Sequence, residues 1–373
     1  MVNKILVVFG TRPEAIKMCP LVNNLKQNFD VSVCVTAQHR EMLDQVLEIF
    51  EVKPDFDLDS MKNDQDLFDI TSRVLLRLGN IIEEVNPDLL LVHGDTTTTL
   101  ASAMAAFYKK IPIGHVEAGL RTYNIHSPYP EEFNRQVVSK IASLNFAPTI
   151  EAKNNLLNEK IALKKIVVTG NTVIDALLEI SEKSEKINFS DDINKSLPFL
   201  SNPEKKIILV TGHRRENFGE GIKQICLALK EISKREDVDI IYPVHLNPNV
   251  KVVVNKYLKS SKNIHLIEPL NYIYFVKLMK LATIILTDSG GIQEEAPSLG
   301  KPVLVMRDNT ERPEAIEAGT AKLVGAKSKK IVAEVNRLLD NQDEYINMSS
   351  AKNPYGSGQA SQKISNSINK YFS

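Results

Sequence analysis

The stretch Ile5-Leu6-Val7-Val8-Phe9-Gly10-Thr11-Arg12-Pro13-Glu14-Ala15-Ile16-Lys17 decides how the rest of the chain is read. Its unbroken apolar run, rich in β-branched residues, has the pattern of a strand buried on both faces of a sheet. Gly10 permits a tight turn. Pro13 suits the first position of a helix, where its missing N–H would have no partner anyway. Strand, glycine turn and helix together open a βα unit. Arg12 and Lys17 straddle the helix N-terminus, where converging N–H groups favour an anion. Turn chemistry alone leaves two readings open, a diphosphate cradle or a plain turn with two solvated cations.

The pattern recurs outward from this unit. Further strands are expected over residues 31–36, 89–93, 113–117, 145–147 and 166–169, with helices over 14–27, 41–50, 67–85, 97–109, 131–143 and 150–157. The alternation lapses over 181–205, which is polar and contains the loop chemistry of Ser196-Leu197-Pro198 and Asn202-Pro203, and reads as a linker. It restarts with strands over 206–210, 240–244, 264–266, 284–287, 303–306 and 321–324. The helices between and after them are expected over 221–235, 250–258, 272–281, 293–299, 329–340 and 359–371. The expected fold is α/β: two Rossmann-like doubly wound domains, 1–180 and 206–358, with a cleft between them and the C-terminal helix (359–373) joining the first.

Composition agrees with two globular domains. The 373 residues exceed what one core usually covers, and 43% apolar with 25% charged is ordinary for a folded chain. Lys+Arg and Asp+Glu both number 46, so the basic excess of a nucleic-acid binder is missing. Cys19, Cys34 and Cys226 are too few and too scattered for a disulfide framework. The N-terminus runs straight into the first strand without a signal-peptide pattern, and no apolar run is long enough to span a bilayer. A cytoplasmic protein that binds neither membrane nor nucleic acid is expected. The seven histidines show no metal-ligand spacing, so no metal is expected. Neither G-x-G-x-x-G nor G-x-x-x-x-G-K-[ST] occurs, and no H-E-x-x-H or G-x-S-x-G.

Open parallel sheets bind ligands beyond the carboxyl ends of their strands. After 89–93 stands Asp95, which read alone is an N-cap candidate. After 113–116 come Glu117 and Arg121; His115 and Glu117 share one strand face by alternation, and Arg121 is a candidate structural partner of Glu117. Glu131 and Glu132 open a helix, where the helix dipole favours carboxylates, and one of them is expected to point back toward a ligand. In the second half, His213-Arg214-Arg215 after a glycine turn suggests anion binding with a protonatable group. Asp288-Ser289-Gly290-Gly291-Ile292-Gln293-Glu294-Glu295 is the strongest purely physical signal. Its paired glycines let N–H groups converge on phosphate, and a following glutamate can hold ribose hydroxyls. The residues alone therefore support a phosphate-bearing ligand, with carboxylates on one side and histidine and arginine on the other.

In order along the chain, GTRPEAIKMCPL (10–21), HGDTTTT (93–99), GHVEAGLRT (114–122), PEEFNRQ (130–136), GHRRENFG (212–219), YPVHLNP (242–248) and DSGGIQEEAPSLGKPVLVMRDNTERPEA (288–315) resemble the non-hydrolysing UDP-N-acetylglucosamine 2-epimerases. The resemblance implies a glycosyltransferase-B type fold, a homodimer, a UDP-sugar substrate, no cofactor and no metal. It also implies a reversible C2 epimerisation through loss of UDP to a 2-acetamidoglucal and re-addition, supplying surface polysaccharide synthesis. Carried over by position, Asp95, Glu117 and Glu131 serve proton transfer, and His213 acts with Arg12 and Lys17 near the diphosphate. Ser289, Gly290, Gly291 and Glu295 bind phosphate and ribose, Phe275 and the backbone at Leu270 lie near uracil, and Arg312 lines the cleft. Gln38, His39 and His245 resemble a neighbouring allosteric site of some bacterial members. The position that resembles its arginine reads Asp64, and a carboxylate there repels a diphosphate, which argues against substrate activation. EAGLRT followed by PEEFNRQ favours this group over the hydrolysing epimerases. A glycosyltransferase would have no need of three carboxylates around C2, nor would a silent nucleotide-sugar sensor.

Overall fold

Ile5 to Phe9 are all essentially inaccessible to solvent, as befits the centre of a sheet covered on both faces. They form β1 (Lys4–Phe9), followed by β2 (Asp30–Val35), β3 (Phe56–Asp57), β4 (Leu89–His93), β5 (Ile113–Val116), β6 (Leu144–Ala147) and β7 (Ile166–Val168). The second set is β8 (Lys206–Thr211), β9 (Val238–Pro243), β10 (Ile264–Ile267), β11 (Ile284–Thr287), β12 (Val303–Val305) and β13 (Ala321–Leu323). The computed structural model describes residues 2–36, 40–58, 66–197, 200 and 205–373. The chain divides into two units, Met1–Ala176 with Tyr355–Ser373, and Leu177–Pro354.

Each unit holds one parallel sheet. The first runs β3-β2-β1-β4-β5-β6-β7 and the second β10-β9-β8-β11-β12-β13. Both are doubly wound, and the order reverses between β1 and β4 in one and between β8 and β11 in the other. Those two places are where the fold leaves room for a ligand. Leu6, Val8, Leu90 and Val92 cover one face of the first sheet, packed with Val74, Leu78 and Ala101 of the helices Leu67–Val85 and Thr97–Tyr108. In the second sheet Ile208, Ile240, Tyr242 and Leu286 pack with Ile225, Val254 and Val335 of three flanking helices. Each fully buried aliphatic side chain contributes roughly 1.5–3 kcal/mol.

The helix Arg12–Leu25 is set by a capping box. The Thr11 hydroxyl accepts from the Glu14 N–H, Glu14 answers the Thr11 N–H, and Pro13 lies in the first turn. The last helix, Ala360–Phe372, packs on it. Its first N–H groups, at Ala360 and Ser361, donate to the Asp175 carboxylate at 3.1 and 2.8 Å, and Phe372 meets Phe29 at 6.3 Å between ring centres.

The structure adds short elements that carry too little periodicity to be seen in the sequence. β3 is two residues long. The segment read as a linker contains the end of the helix Thr172–Glu185 and a further helix, Asp191–Ser196, capped by the Ser190 hydroxyl. The helix expected from 293 starts earlier, as Gly290–Glu295, because its glycines depress helix propensity and disguise the start.

Candidate functional site

At the reversal point of the first sheet, the loops after β1 and β4 are joined by Glu14. Its Oε2 accepts the N–H groups of Gly10 and Thr11 at 3.0 and 2.7 Å, and its Oε1 accepts the Thr96 and Thr99 hydroxyls at 2.7 and 3.2 Å. The turn requires glycine: a Cβ on Gly10 would lie 2.0 Å from the Thr36 hydroxyl. Asp95 is not the N-cap of the following helix; Thr96 is, accepting from the Thr99 N–H at 3.1 Å. The Asp95 carboxylate instead meets Arg135 Nη2 at 2.7 Å. Burial pushes its pKa up to about 6, opposed by Arg135 and reinforced by the nearby charges of Glu117 and Glu131. The three carboxylates therefore share one neighbourhood.

Glu117 does not continue β5. It follows the strand with φ +61°, in the left-handed region, so it leaves the face that alternation would have it share with His115. Its carboxylate is ion-paired with Lys17 and accepts the Asn171 amide N–H at 2.7 Å. Lys17, expected beside a diphosphate, thus sits on a carboxylate. His93 is fully buried with Nε2 3.7 Å from Glu117, and burial lowers its pKa to about 3, so it is neutral. Arg121 is not the partner of Glu117 either; it forms two hydrogen bonds to Glu159, at 2.6 and 3.0 Å.

The adjacent Glu131 and Glu132 have separate fates. Glu132 is buried and accepts the backbone N–H groups of Thr122 and Tyr123 at 3.0 and 3.1 Å and the Gln136 amide at 2.8 Å. It holds the loop in place. Glu131 has a buried Oε2 with no hydrogen-bond partner among the described residues, which leaves it as the carboxylate of the two available to a ligand. Arg12 opens its helix, partly exposed.

At the reversal point of the second sheet, buried Asp288 organises the loop after β8. It accepts the backbone N–H groups of His213 and Arg214, both at 2.9 Å, and the Asn217 amide at 3.2 Å. The His213 ring stacks on His245 at 5.4 Å. Burial lowers the His213 pKa, with Asp288 opposing and Arg214 and His245 adding to the shift. Arg214 Nε is buried without a hydrogen-bond partner among the described residues. Ser289 stands at the N-cap position of the helix Gly290–Glu295 without a side-chain capping bond, and Arg312, ion-paired with Glu294, lies against Gly290, where a Cβ would be 3.6 Å from its guanidinium carbon. Buried Glu295 accepts from the Tyr272 hydroxyl at 2.5 Å. Leu270 lines a cavity of about 480 Å3 with Val244, Leu266 and Tyr274, and Phe275 is partly buried on the helix Tyr272–Leu281.

The sequence reading is thus brought together within each unit: Lys17, Asp95, Glu117 and Glu131 in the first, and His213, His245, Ser289, Gly290, Gly291, Glu295 and Arg312 in the second. Gln38, His39 and Asp64 lie outside the described residues. Missed from sequence were Asn171, Arg135, Tyr272 and the organising role of Asp288, because each acts through another residue distant in the chain. Among the described residues no group of three His, Cys, Asp or Glu side chains is placed to hold a metal ion, and no helix is long and apolar enough to cross a membrane.

The model of the UDP-N-acetylglucosamine 2-epimerase family matches residues 23–369. The chain belongs to this family. It is 57% identical to the UDP-N-acetylglucosamine 2-epimerase of Escherichia coli K12 over 97% of each chain. The crystal structure of UDP-GlcNAc 2-epimerase from Neisseria meningitidis bound to UDP-GlcNAc superposes with TM-score 0.91, at 52% identity over 98% of this chain and 100% of that one. The Methanocaldococcus jannaschii enzyme in complex with UDP-GlcNAc and UDP superposes with TM-score 0.80, at 36% identity over 99% of both. Within the 2-epimerase family, this chain carries its carboxylates on the first sheet and its glycine-rich DSGG loop on the second.

Proposed function

We propose that the protein interconverts UDP-N-acetylglucosamine and UDP-N-acetylmannosamine without hydrolysis. The observation that carries this reading is the gathering of Asp95, Glu117 and Glu131 at the reversal point of the first sheet. The C2–H of a sugar is not acidic, so its removal is coupled to loss of a good leaving group. A carboxylate takes the C2 proton, the C–H electron pair forms the C1=C2 double bond, and the C1–O bond breaks with its pair leaving on UDP. The 2-acetamidoglucal is then protonated at C2 from the opposite face as UDP re-adds at C1. Two positioned proton carriers are needed, and Glu117 and Glu131 fill those roles, with Asp95 beside them.

Stabilising the departing diphosphate falls to cations and oriented N–H groups: Arg12, Lys17, His213, Arg312 and the backbone of Ser289, Gly290 and Gly291. In this reading Lys17 exchanges Glu117 for the ligand's phosphate. Glu295, oriented by Tyr272, takes the ribose hydroxyls, while Leu270 and Phe275 meet uracil. The proposal extends to a homodimer in the cytoplasm that supplies surface polysaccharide synthesis. Support for the dimer comes from exposed apolar side chains, Phe68 and Leu76 on the helix Leu67–Val85 and Phe107 and Tyr108 on the helix Thr97–Tyr108.

The test is product analysis with Glu117→Gln and Glu131→Gln alongside the native protein. UDP-N-acetylmannosamine from the native protein alone, with UDP still bound by both variants, is the expected result. UDP and free N-acetylmannosamine accumulating in equal amounts would replace the non-hydrolysing reading with a hydrolysing one.

A further inference from the structure

Glu117 stands in the left-handed region, at φ +61°. Holding a non-glycine residue there costs on the order of 1–3 kcal/mol, which surrounding contacts must offset. Lys17 provides one such contact. Another comes from a separate element. Asn171 follows β7 and is 3% exposed; its Nδ2 donates to Glu117 Oε2 at 2.7 Å.

The orientation of that amide is fixed from its other end. Its Oδ1 accepts the Val173 N–H at 3.1 Å, in the first turn of the helix Thr172–Glu185, so Nδ2 is the atom that faces the carboxylate. Its backbone N–H donates to the Tyr355 carbonyl at 2.7 Å, at the residue where the chain re-enters the first unit. Asn171 is therefore held by its backbone and its carbonyl oxygen, and presents its amino group to the Glu117 carboxylate. Lys17 and His93 approach that same oxygen, Oε2.

We infer that Asn171 is a positioning residue for Glu117, fixing the carboxylate in place and keeping it ionised for proton transfer at C2. The inference rests on reading Glu117 as a proton carrier. Donation to the charged form favours it, and a fixed carboxylate avoids the loss in rate that a misplaced one incurs. Asn171→Asp is the informative change. It keeps an acceptor for the Val173 N–H and the backbone bond to Tyr355, so the turn is retained. It replaces the donor with a second carboxylate against Glu117, and two carboxylates at that distance do not both ionise readily.

The experiment records pH profiles of kcat and of KM for the native protein, Asn171→Ala, Asn171→Asp and Glu117→Gln, with thermal melting and UDP binding measured on each. The expected result is a fall in kcat of about tenfold or more at neutral pH for both Asn171 variants. Their acid limb moves to higher pH, further for Asn171→Asp than for Asn171→Ala, with KM and UDP binding close to native. Where Asn171→Ala melts early, Asn171→Asp decides. An inactive Glu117→Gln beside an Asn171→Asp of native kcat and native acid limb would overturn the inference. A lowered kcat with an unmoved acid limb would also overturn it, marking Asn171 as structural only. Unchanged turnover in Glu117→Gln would instead remove Glu117 from the mechanism, and Asn171 with it.

Discussion

Glu131 and Glu132 are neighbours with the same side chain, yet the structure places them in different surroundings, and substituting each by glutamine tests the separate roles proposed for them. Glu132 is inaccessible to solvent, and its two oxygens accept the N–H groups of Thr122 and Tyr123 at 3.0 and 3.1 Å. A glutamine keeps one of those acceptors and turns an NH2 group toward the other N–H. One charge-assisted hydrogen bond is lost and a buried donor is left facing a donor, and Arg135, 3.6 Å away, loses a counter-charge. Hydrogen bonds to a charged group are worth about 1.5–3 kcal/mol, so Glu132→Gln should cost roughly 2–4 kcal/mol. For a unit of this size each kcal/mol shifts melting by about 2–4 °C, so the first unit should melt about 4–16 °C lower. Glu131→Gln removes no hydrogen bond to Oε2 among the described residues, so its melting point should stay within about 2 °C of native. Its turnover should fall at least about 100-fold, as expected for loss of a general acid or base. Calorimetric melting and an epimerisation assay on both variants suffice. An unstable Glu131→Gln, or a Glu132→Gln that melts like the native protein, would refute the division of labour.

Two further predictions concern the second unit and acid stability. Tyr272→Phe removes the hydroxyl that donates to Glu295 at 2.5 Å, so UDP affinity measured by calorimetry should weaken about five- to thirty-fold; native affinity would show that Glu295 needs no orientation or binds nothing. His93 and His115 are buried and neutral, with pKa lowered by burial to about 3 and about 4 from an ordinary 6.5. A depressed histidine pKa gives stability that is fully present above the unfolded-state value and lost as pH falls toward the folded one. Each should remove about 1.4 kcal/mol per pH unit between about 6.5 and 4. Denaturant titrations across that window should show the slope, and His93→Gln should reduce it; a flat profile would contradict the burial of both rings.

The fold was legible because the central strands are unbroken apolar runs, such as Ile5–Phe9, ending at a glycine before a capped helix. A buried parallel strand has to look like that, since both its faces are covered. β3 and the helix Asp191–Ser196 escaped notice because elements of two and six residues are too short for periodicity to register. Candidate residues were legible where they stand just beyond a strand end, two residues past it, as with Asp95, His213 and Ser289. Partnerships were not. The sequence suggested Arg121 for Glu117 because the two are close in the chain, whereas the structure brings Lys17 and Asn171 from far away. Alternation put His115 and Glu117 on one face, but the left-handed backbone at Glu117 ends the strand first. Proximity in sequence says little about which charges meet once a parallel sheet has brought distant loops to the same end.

Reversible proton exchange at C2 can be tested most directly by proton NMR of the protein with UDP-N-acetylglucosamine in D2O. Deuterium should enter at C2 as UDP-N-acetylmannosamine accumulates to an equilibrium, with little free sugar released. Product formed with the original C2 hydrogen retained, or no exchange with any sugar of a UDP-N-acetylhexosamine panel, would contradict proton transfer by the carboxylates of the first sheet.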